Sequence, residues 1–341
     1  MKLVKEGRED RECRLYKTVL QEINTYLSEN YLAKLKLLPI PEYIRVAPAT
    51  TSGIEENQTP EHESGKHLFM LENKAYLGFK RDLMPNKDGL DYEHSVIVIA
   101  ALAKFHATSY CFRRQNHIDM VKKYPVLRDG LAISIVSEDT METLDKVFRE
   151  RRPQFDTFSK LFFLHKNKDC QQLVSDLDRF GVLSHGQFCR ENLLFKYKSN
   201  QDAILSCSDV VFQDLSNCHF GSCVIDLLQF VLTSVDAPIR RSFMADFVCS
   251  VYYDNFAKTV SSINSKIDMF SKKEFIKEFN NLIVYGFYFA AEIHTKLFKD
   301  ALEGLKDEAC KDEIQLQYEN NIILLLEDVV QFIKSAKVTV S

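Results

Sequence analysis

Along the opening of the chain, apolar residues return every fourth position at Leu15, Val19, Ile23 and Leu27, with charged and polar side chains among the residues between them. That spacing predicts an amphipathic helix with one buried stripe. The stretch from Ala47 to Lys66 fills instead with Thr, Ser, Glu, Pro and Gly, the composition of a loop between strands. A short apolar run, Leu68 to Leu71, predicts a buried strand followed by a turn. From Tyr92 the segment YEHSVIVIAALAKFHATSY stays apolar for longer than a strand and contains neither Gly nor Pro, so it predicts a buried helix.

Residues 118 to 180 carry a helical pattern, clearest in METLDKVFRERR and in CQQLVSDLDRF, the second closed by Gly181 as a C-terminal cap. The period then switches. LLFKYK and DAILSCSDVVFQDLS read as short strands of a hairpin, and after Asp226 the chain returns to helices, strongest in FIKEFNNLIVYGFYFAAEIHTKLF and IILLLEDVVQFIK. There is no internal repeat and no low-complexity tract. The pattern predicts a small mixed lobe followed by a larger helical lobe broken once by a hairpin.

Composition narrows the class. With 341 residues, 45% of them hydrophobic, the chain can bury a large core. A net charge of -4, from 44 basic and 48 acidic side chains, supplies no global attraction to nucleic acid or to an anionic membrane. The cysteines number nine and are scattered, which suits reduced thiols better than a disulfide framework. The first residues lack the apolar core of a signal peptide, and no later stretch reads as long enough to cross a bilayer. The expectation is a cytoplasmic protein without nucleic-acid or membrane partners.

Candidate chemistry lies in HGQFCREN (185–192) and the VVFQDLS that follows it (210–216). Phosphoryl transfer needs a group that orients or deprotonates the acceptor hydroxyl, and oxygen ligands that hold Mg²⁺ against nucleotide phosphates. In kinase-like folds the first group and one metal ligand come from a loop, and a second ligand is an Asp on the next hairpin. Asn192 and Asp214 stand in the two ligand positions. Taken alone, Asp214 is also a plausible turn residue, and His185 a structural histidine.

These residues resemble the choline-kinase-like and ecdysteroid-kinase-like group common in insects, whose loop reads HGDxWxNN and whose hairpin reads IDFQ followed by a later DLxYF. His185, Gly186, Asn192 and Asp214 match; Gln187, Cys189 and Glu191 replace Asp, Trp and Asn, and Leu215 and Ser216 replace Phe and Gln. DLLQF (226–230), LEN (71–73), GLDYEH (89–94) and LAKFHATS (102–109) fall at the family's spacing, and Glu12 and Tyr16 resemble the Glu and Tyr of its first-lobe helix. The resemblance implies an α+β, two-lobed protein-kinase-like fold, with a reduced N-terminal lobe and hinge over 1–75 and a mainly helical C-terminal lobe over 76–341. It implies ATP and Mg²⁺ as cofactors and a small-molecule hydroxyl, steroid-like among the candidates, as acceptor. Glu72 and Glu12 then fall on the nucleotide side, Asn192 and Asp214 at the metal, and His185, Gln187 and Glu191 in the catalytic loop.

The departures matter as much. A neutral amide at Gln187 can orient a hydroxyl but cannot take its proton, and general-base assistance is worth ~10²–10⁴ in rate. Glu191 is the loop's only carboxylate, and to substitute it must swing back past Asn192. Lys2 and Lys5 lie too near Glu12 to serve as the family's phosphate-binding strand lysine, and no glycine-rich turn precedes them. The expectation is a truncated first lobe and weakened catalysis. The rivals are a pseudokinase that binds a small molecule or partner, and an active kinase whose first exons are missing from the sequence. Asp226 reads as an N-cap and loop brace, His106 as a packed histidine, and Cys189, Cys207, Cys218 and Cys223 with His219 as buried groups rather than a zinc site. The aromatic segment NNLIVYGFYFAAEIH reads either as core or as the wall of an apolar pocket.

Overall fold

The computed structural model describes residues 8–30, 32, 37–48, 67–83, 89–128, 137–146, 149–150, 176–199, 205–303, 305 and 307–339. Helices α1 (Arg8–Leu15) and α2 (Gln21–Glu29) run on through a π-helical stretch, Tyr16–Leu20. Leu15, Val19, Ile23 and Leu27 are all buried, as the spacing predicts. A strict four-residue repeat drifts about 40° per step around an ideal α-helix. The wider π turns in the middle take up that drift and keep the stripe on one side.

Strands β1 (Tyr43–Pro48) and β2 (His67–Leu71) form an antiparallel pair. The loop read from Ala47 therefore gives its first two residues to β1, and its remainder, 49–66, lies outside the described residues. After a 3-10 turn at Lys74–Leu77, the short β3 (Phe79–Lys80) pairs with β5 (Leu193–Ser199), which pairs in turn with β6 (Leu205–Phe212). Strands β4 (Gly181–Ser184) and β7 (His219–Ser222) make a separate antiparallel pair.

Helix α3 (Tyr92–Gln115) starts where Asp91 accepts from the His94 N–H. Length and composition alone would let α3 cross a bilayer, which corrects the reading that no stretch is long enough. Yet 72% of its most apolar window is buried within the protein, against α6 (Asp254–Asn264), β4 and β6. Tyr110 on α3 is wholly buried, edge-on to both Phe256 and Phe270. Helices α4 (Cys223–Ser234), α5 (Ala237–Asp246), α7 (Lys272–Leu302) and α8 (Glu308–Thr339) complete the larger part, with α7 packed between α4 and α8. The architecture is α+β with a mainly helical C-terminal part, as expected.

The helical reading of 118–180 is corrected in part. Pro125 lacks the N–H a helix needs, and here the chain makes one turn at Met120–Lys123 and a 3-10 turn at Pro125–Leu127. A helix covers 138–146, while 129–136, 147–148 and 151–175 lie outside the described residues. Of CQQLVSDLDRF, only the turn Leu177–Phe180 and its cap Asp176 are described. Gly181 is extended, with φ -67°, rather than left-handed. It is small because a Cβ there would stand 2.2 Å from Leu177 O and 2.3 Å from the Phe220 ring.

Candidate active site

Helix α4 is buried on all sides, yet it carries Asp226 and Gln229 three residues apart and so on one face. That face holds the loop after β4. Asp226 Oδ2 accepts from the His185 N–H at 2.6 Å and Oδ1 from the Gly186 N–H at 3.0 Å. Gln229 Oε1 accepts from the Phe188 N–H at 3.0 Å, and Ser234 Oγ from the Arg190 N–H at 2.9 Å. The loop's inward N–H groups thus find side-chain acceptors on a single helix, as buried donors require.

Ser222 caps α4, accepting from the Val224 N–H, which corrects the reading of Asp226 as N-cap. Asp226 lies one turn further in, where its carboxylate can face the loop. Its bracing of the loop is as read. Burial works to raise the Asp226 pKa, but the hydrogen bond from His106 Nε2 at 3.0 Å, the fields of His106 and His185, and the Gly186 N–H outweigh it and hold the carboxyl below its ordinary value. His106 Nδ1 meets Tyr252 Oη at 2.7 Å. The packed histidine of the sequence is therefore the inner support of the carboxylate that holds the loop.

His185 is buried, and burial lowers its pKa despite the nearby Asp226 charge, so the ring is neutral at pH 7. Nε2 faces Gln213 O at 2.9 Å and Nδ1 faces the Gln187 N–H at 3.4 Å, which fixes the proton on Nε2. With both nitrogens occupied, His185 braces. Gly186 has φ +84°, and a Cβ on it would lie 2.1 Å from Asn217 O, so the turn and the close approach both require glycine.

Gln187 Oε1 accepts from Asn217 Nδ2 at 2.7 Å, and its backbone oxygen accepts from Asn192 Nδ2 at 2.9 Å. The Asn192 backbone oxygen accepts from the Gln213 N–H at 2.8 Å, where the β5–β6 ladder begins. Asn192 and Asp214 therefore leave the hairpin at the same end. Asp214 sits in the left-handed region at φ +59°, and its Oδ1 accepts from Ser216 Oγ at 2.7 Å and caps the turn Leu215–Asn217. It is the turn residue of one reading, and among the described residues its Oδ2 is not used by that turn. Such a backbone outlier at a non-glycine residue is a pointer to a functional position.

Glu12 is buried, and its Oε1 accepts from the Leu215 N–H at 3.0 Å. The neighbouring Arg11 donates to Val126 O at 3.0 and 3.2 Å and also to Ser216 O and Cys218 O. Helix α1 is thereby tied to the turn that follows Asp214. Glu191 lies on the exposed turn Arg190–Asn192, beside Cys189, whose thiol burial and then the Glu191 charge push up to about 12. Glu72 pairs with Lys74 at 2.5 Å, a bond that holds its carboxyl below the ordinary value, and accepts from the Glu42 N–H at 3.4 Å. His185, Gln187, Asn192, Asp214 and Glu12 thus belong to one connected web. The Glu191 carboxylate reaches it through the Cys189 thiol, which also meets Gln187 O and the Asn192 amide, while among the described residues no bond joins Glu72 to it.

Several participants were missed in the sequence. Gln229 had a usable signal, since an amide three residues from an Asp on a wholly apolar helix must find partners inside the protein. Arg190 forks onto Asp82 with both bonds at 2.7 Å, an ion pair between segments too far apart in sequence to be matched. Arg11 is one charge among many in the opening residues.

The Asn192 amide oxygen and the Asp214 carboxylate are hard oxygen donors, the type Mg²⁺ takes together with nucleotide phosphates. The Asn192 amide nitrogen is spent on Gln187 O, which leaves its oxygen as the outward end. This donor set fits Mg²⁺. No curated protein matches the chain. The sequence profile of the ecdysteroid kinase-like family matches residues 7–265. With that match over most of its length, the chain belongs to the ecdysteroid kinase-like family, whose members are kinase-like small-molecule phosphotransferases.

Proposed function

We propose that this protein is an ATP- and Mg²⁺-dependent phosphotransferase acting on a hydroxyl of a small, steroid-like molecule, with its chemical step weakened at Gln187. Asn192 and Asp214 would hold the metal, which supplies charge neutralisation for the phosphates when bound. Gln187 orients the acceptor hydroxyl by hydrogen bonding and leaves its proton to solvent, because an amide has no basic lone pair to offer. His185 and Asp226 keep the loop in place and exchange no proton with substrate. The observation that carries the reading is the bond from Asn217 Nδ2 to Gln187 Oε1, which occupies the side chain in the proton acceptor's place. Free buried thiols support a reducing, cytosolic setting.

A binding role, with or without turnover, is supported by one further feature. A cavity of about 700 Å³ opens beside the loop, lined in part by Arg190 and Glu191, and it could hold a ligand whether or not phosphate is transferred.

The test is ATP consumption with a panel of sterols, choline and ethanolamine, run beside thermal unfolding with ATP and with ATP plus Mg²⁺. Ligand at ten times its Kd raises stability by about 1.4 kcal/mol. The expected result is Mg²⁺-dependent stabilisation with slow turnover. Fast wild-type turnover that Asp214→Ala abolishes would overturn the weakened step, and tight nucleotide binding without metal would overturn the metal assignment.

A further inference from the structure

The cavity beside the loop has two unlike ends. Glu191 and Asp236 lie on the loop side, where the Arg190 N–H is bound by Ser234 Oγ just before α5. The opposite wall comes from α7 and α8 and sets the aliphatic side chains Leu297, Ala301, Ile314 and Leu325 beside the polar Gln317 and Asn321. Leu297 is 50% exposed and Leu324, also at the cavity, is 36% exposed, so apolar surface is left bare where a ligand could cover it. All of this wall lies beyond residue 265, outside the segment that the family profile matches.

Three polar side chains, His294, Gln317 and Asn321, interrupt the aliphatic wall. His294, on the cavity side of α7, has no hydrogen-bond partner among the described residues. Burial, assisted by the Arg240 charge, holds its pKa down to about 4, so the imidazole is neutral at physiological pH. Arg240 is itself committed to Asp328, at 2.8 Å through Nε, and to Val235 O at 3.1 Å. The wall of α7 and α8 therefore presents neutral donors and acceptors and no unbalanced charge. The cavity's aromatic rings, Phe298 and Tyr318, stack on each other at 4.5 Å and 13° and so cover one face each. A cage for a quaternary ammonium needs open aromatic faces around the cation, and this wall does not supply them.

We infer that His294 is a specificity-determining residue, which selects a neutral, mainly aliphatic alcohol bearing a second oxygen at the end remote from the reacting hydroxyl. The inference rests on the phosphotransferase reading for the orientation of the ligand, with its reacting hydroxyl toward the loop. The remote ketone or hydroxyl meets the imidazole, and an analogue without that oxygen leaves His294 buried and unpaired. Choline has neither the aliphatic bulk nor the second oxygen.

The test is equilibrium binding of the full chain, without nucleotide, to pregnenolone, to its counterpart lacking the 20-ketone, and to choline. The wild type is expected to bind the ketone about five- to tenfold more tightly than the deoxy compound, the worth of one net hydrogen bond. His294→Leu should bind the two steroids alike, and His294→Gln should keep the preference. A preference that survives His294→Leu, binding of neither steroid, or displacement of steroid by choline would each overturn the inference. Absent ATP turnover alongside an intact, His294-dependent preference would overturn the phosphotransferase reading and leave the selectivity of the cavity standing.

Discussion

Asn217 Nδ2 donates to Gln187 Oε1 at 2.7 Å, so the loop's acceptor position is bonded to the turn after Asp214. A carboxylate in that place would be one methylene shorter and would compete for the same amide. Gln187→Asp alone is therefore expected to raise turnover less than about tenfold, well short of the ~10²–10⁴ that a placed base is worth. Steady-state ATP consumption measures it, and adding Asn217→Ala should raise turnover further by freeing the new carboxylate. A full recovery from the single change would show that phosphate positioning is already complete.

Asp226 links acid stability to the loop. Its folded pKa lies below the ordinary value of 3.8, so its contribution to stability is fully present above that pH and is lost as pH falls through the lowered folded value. Asp226→Asn should cost about 3–5 kcal/mol at pH 7, because His106 and two loop N–H groups lose a charged acceptor. Urea unfolding at stepwise lower pH should show the gap between wild type and variant closing only in that acid window. A gap that closes near neutrality would point to a different group.

Gly186→Ala meets both a left-handed backbone and the Asn217 oxygen. The backbone alone accounts for about 1–2 kcal/mol, and the contact must be relieved by moving the turn that carries Asn217. Thermal unfolding should show the loss, and Mg²⁺-dependent nucleotide binding should weaken with it. If stability falls while binding is unchanged, Asn217 does not link the loop to the metal side.

Arg11 and Glu12 grip the residues after Asp214 from the middle of α1. Arg11→Met should leave metal-free nucleotide binding unaltered and raise the Mg²⁺ concentration needed for tight binding, since Asp214 is then less well held. Titrating Mg²⁺ at fixed ATP separates the two effects. An equal loss with and without metal would assign Arg11 to general stability.

The strong periodicities were legible in the sequence. The Leu15 to Leu27 stripe, the long apolar helix from Tyr92 and the hairpin around residue 200 all follow from local side-chain patterns, and HG followed by Asn192 marked the loop. What could not be read were the partners that distant segments supply. Asp226 looked like a cap because it opens an apolar run, and only the position of β4 shows that its oxygens face the loop. Gly181 looked like a helix end for a related reason: its smallness answers the Phe220 ring, which arrives from a strand thirty-nine residues later. Pro125 was visible, but the pattern on either side of it outweighed its missing N–H in the reading.

The π-helical turns at Tyr16–Leu20 carry a consequence for how this chain tolerates change. A π stretch amounts to a residue accommodated without lengthening the helix by a full step. Removing any one residue between Tyr16 and Leu20 would let the segment close into ordinary α-helix, and because the wider turn is what absorbs that residue, the parts before and after would keep their relative orientation. The same deletion within α2, which has no residue to spare, would turn everything before it by about 100° and carry Glu12 away from Leu215. One-residue deletions a turn apart would thus differ, absorbed at Tyr16–Leu20 but acting from within α2 on the candidate site, as a rotation of the part that touches it.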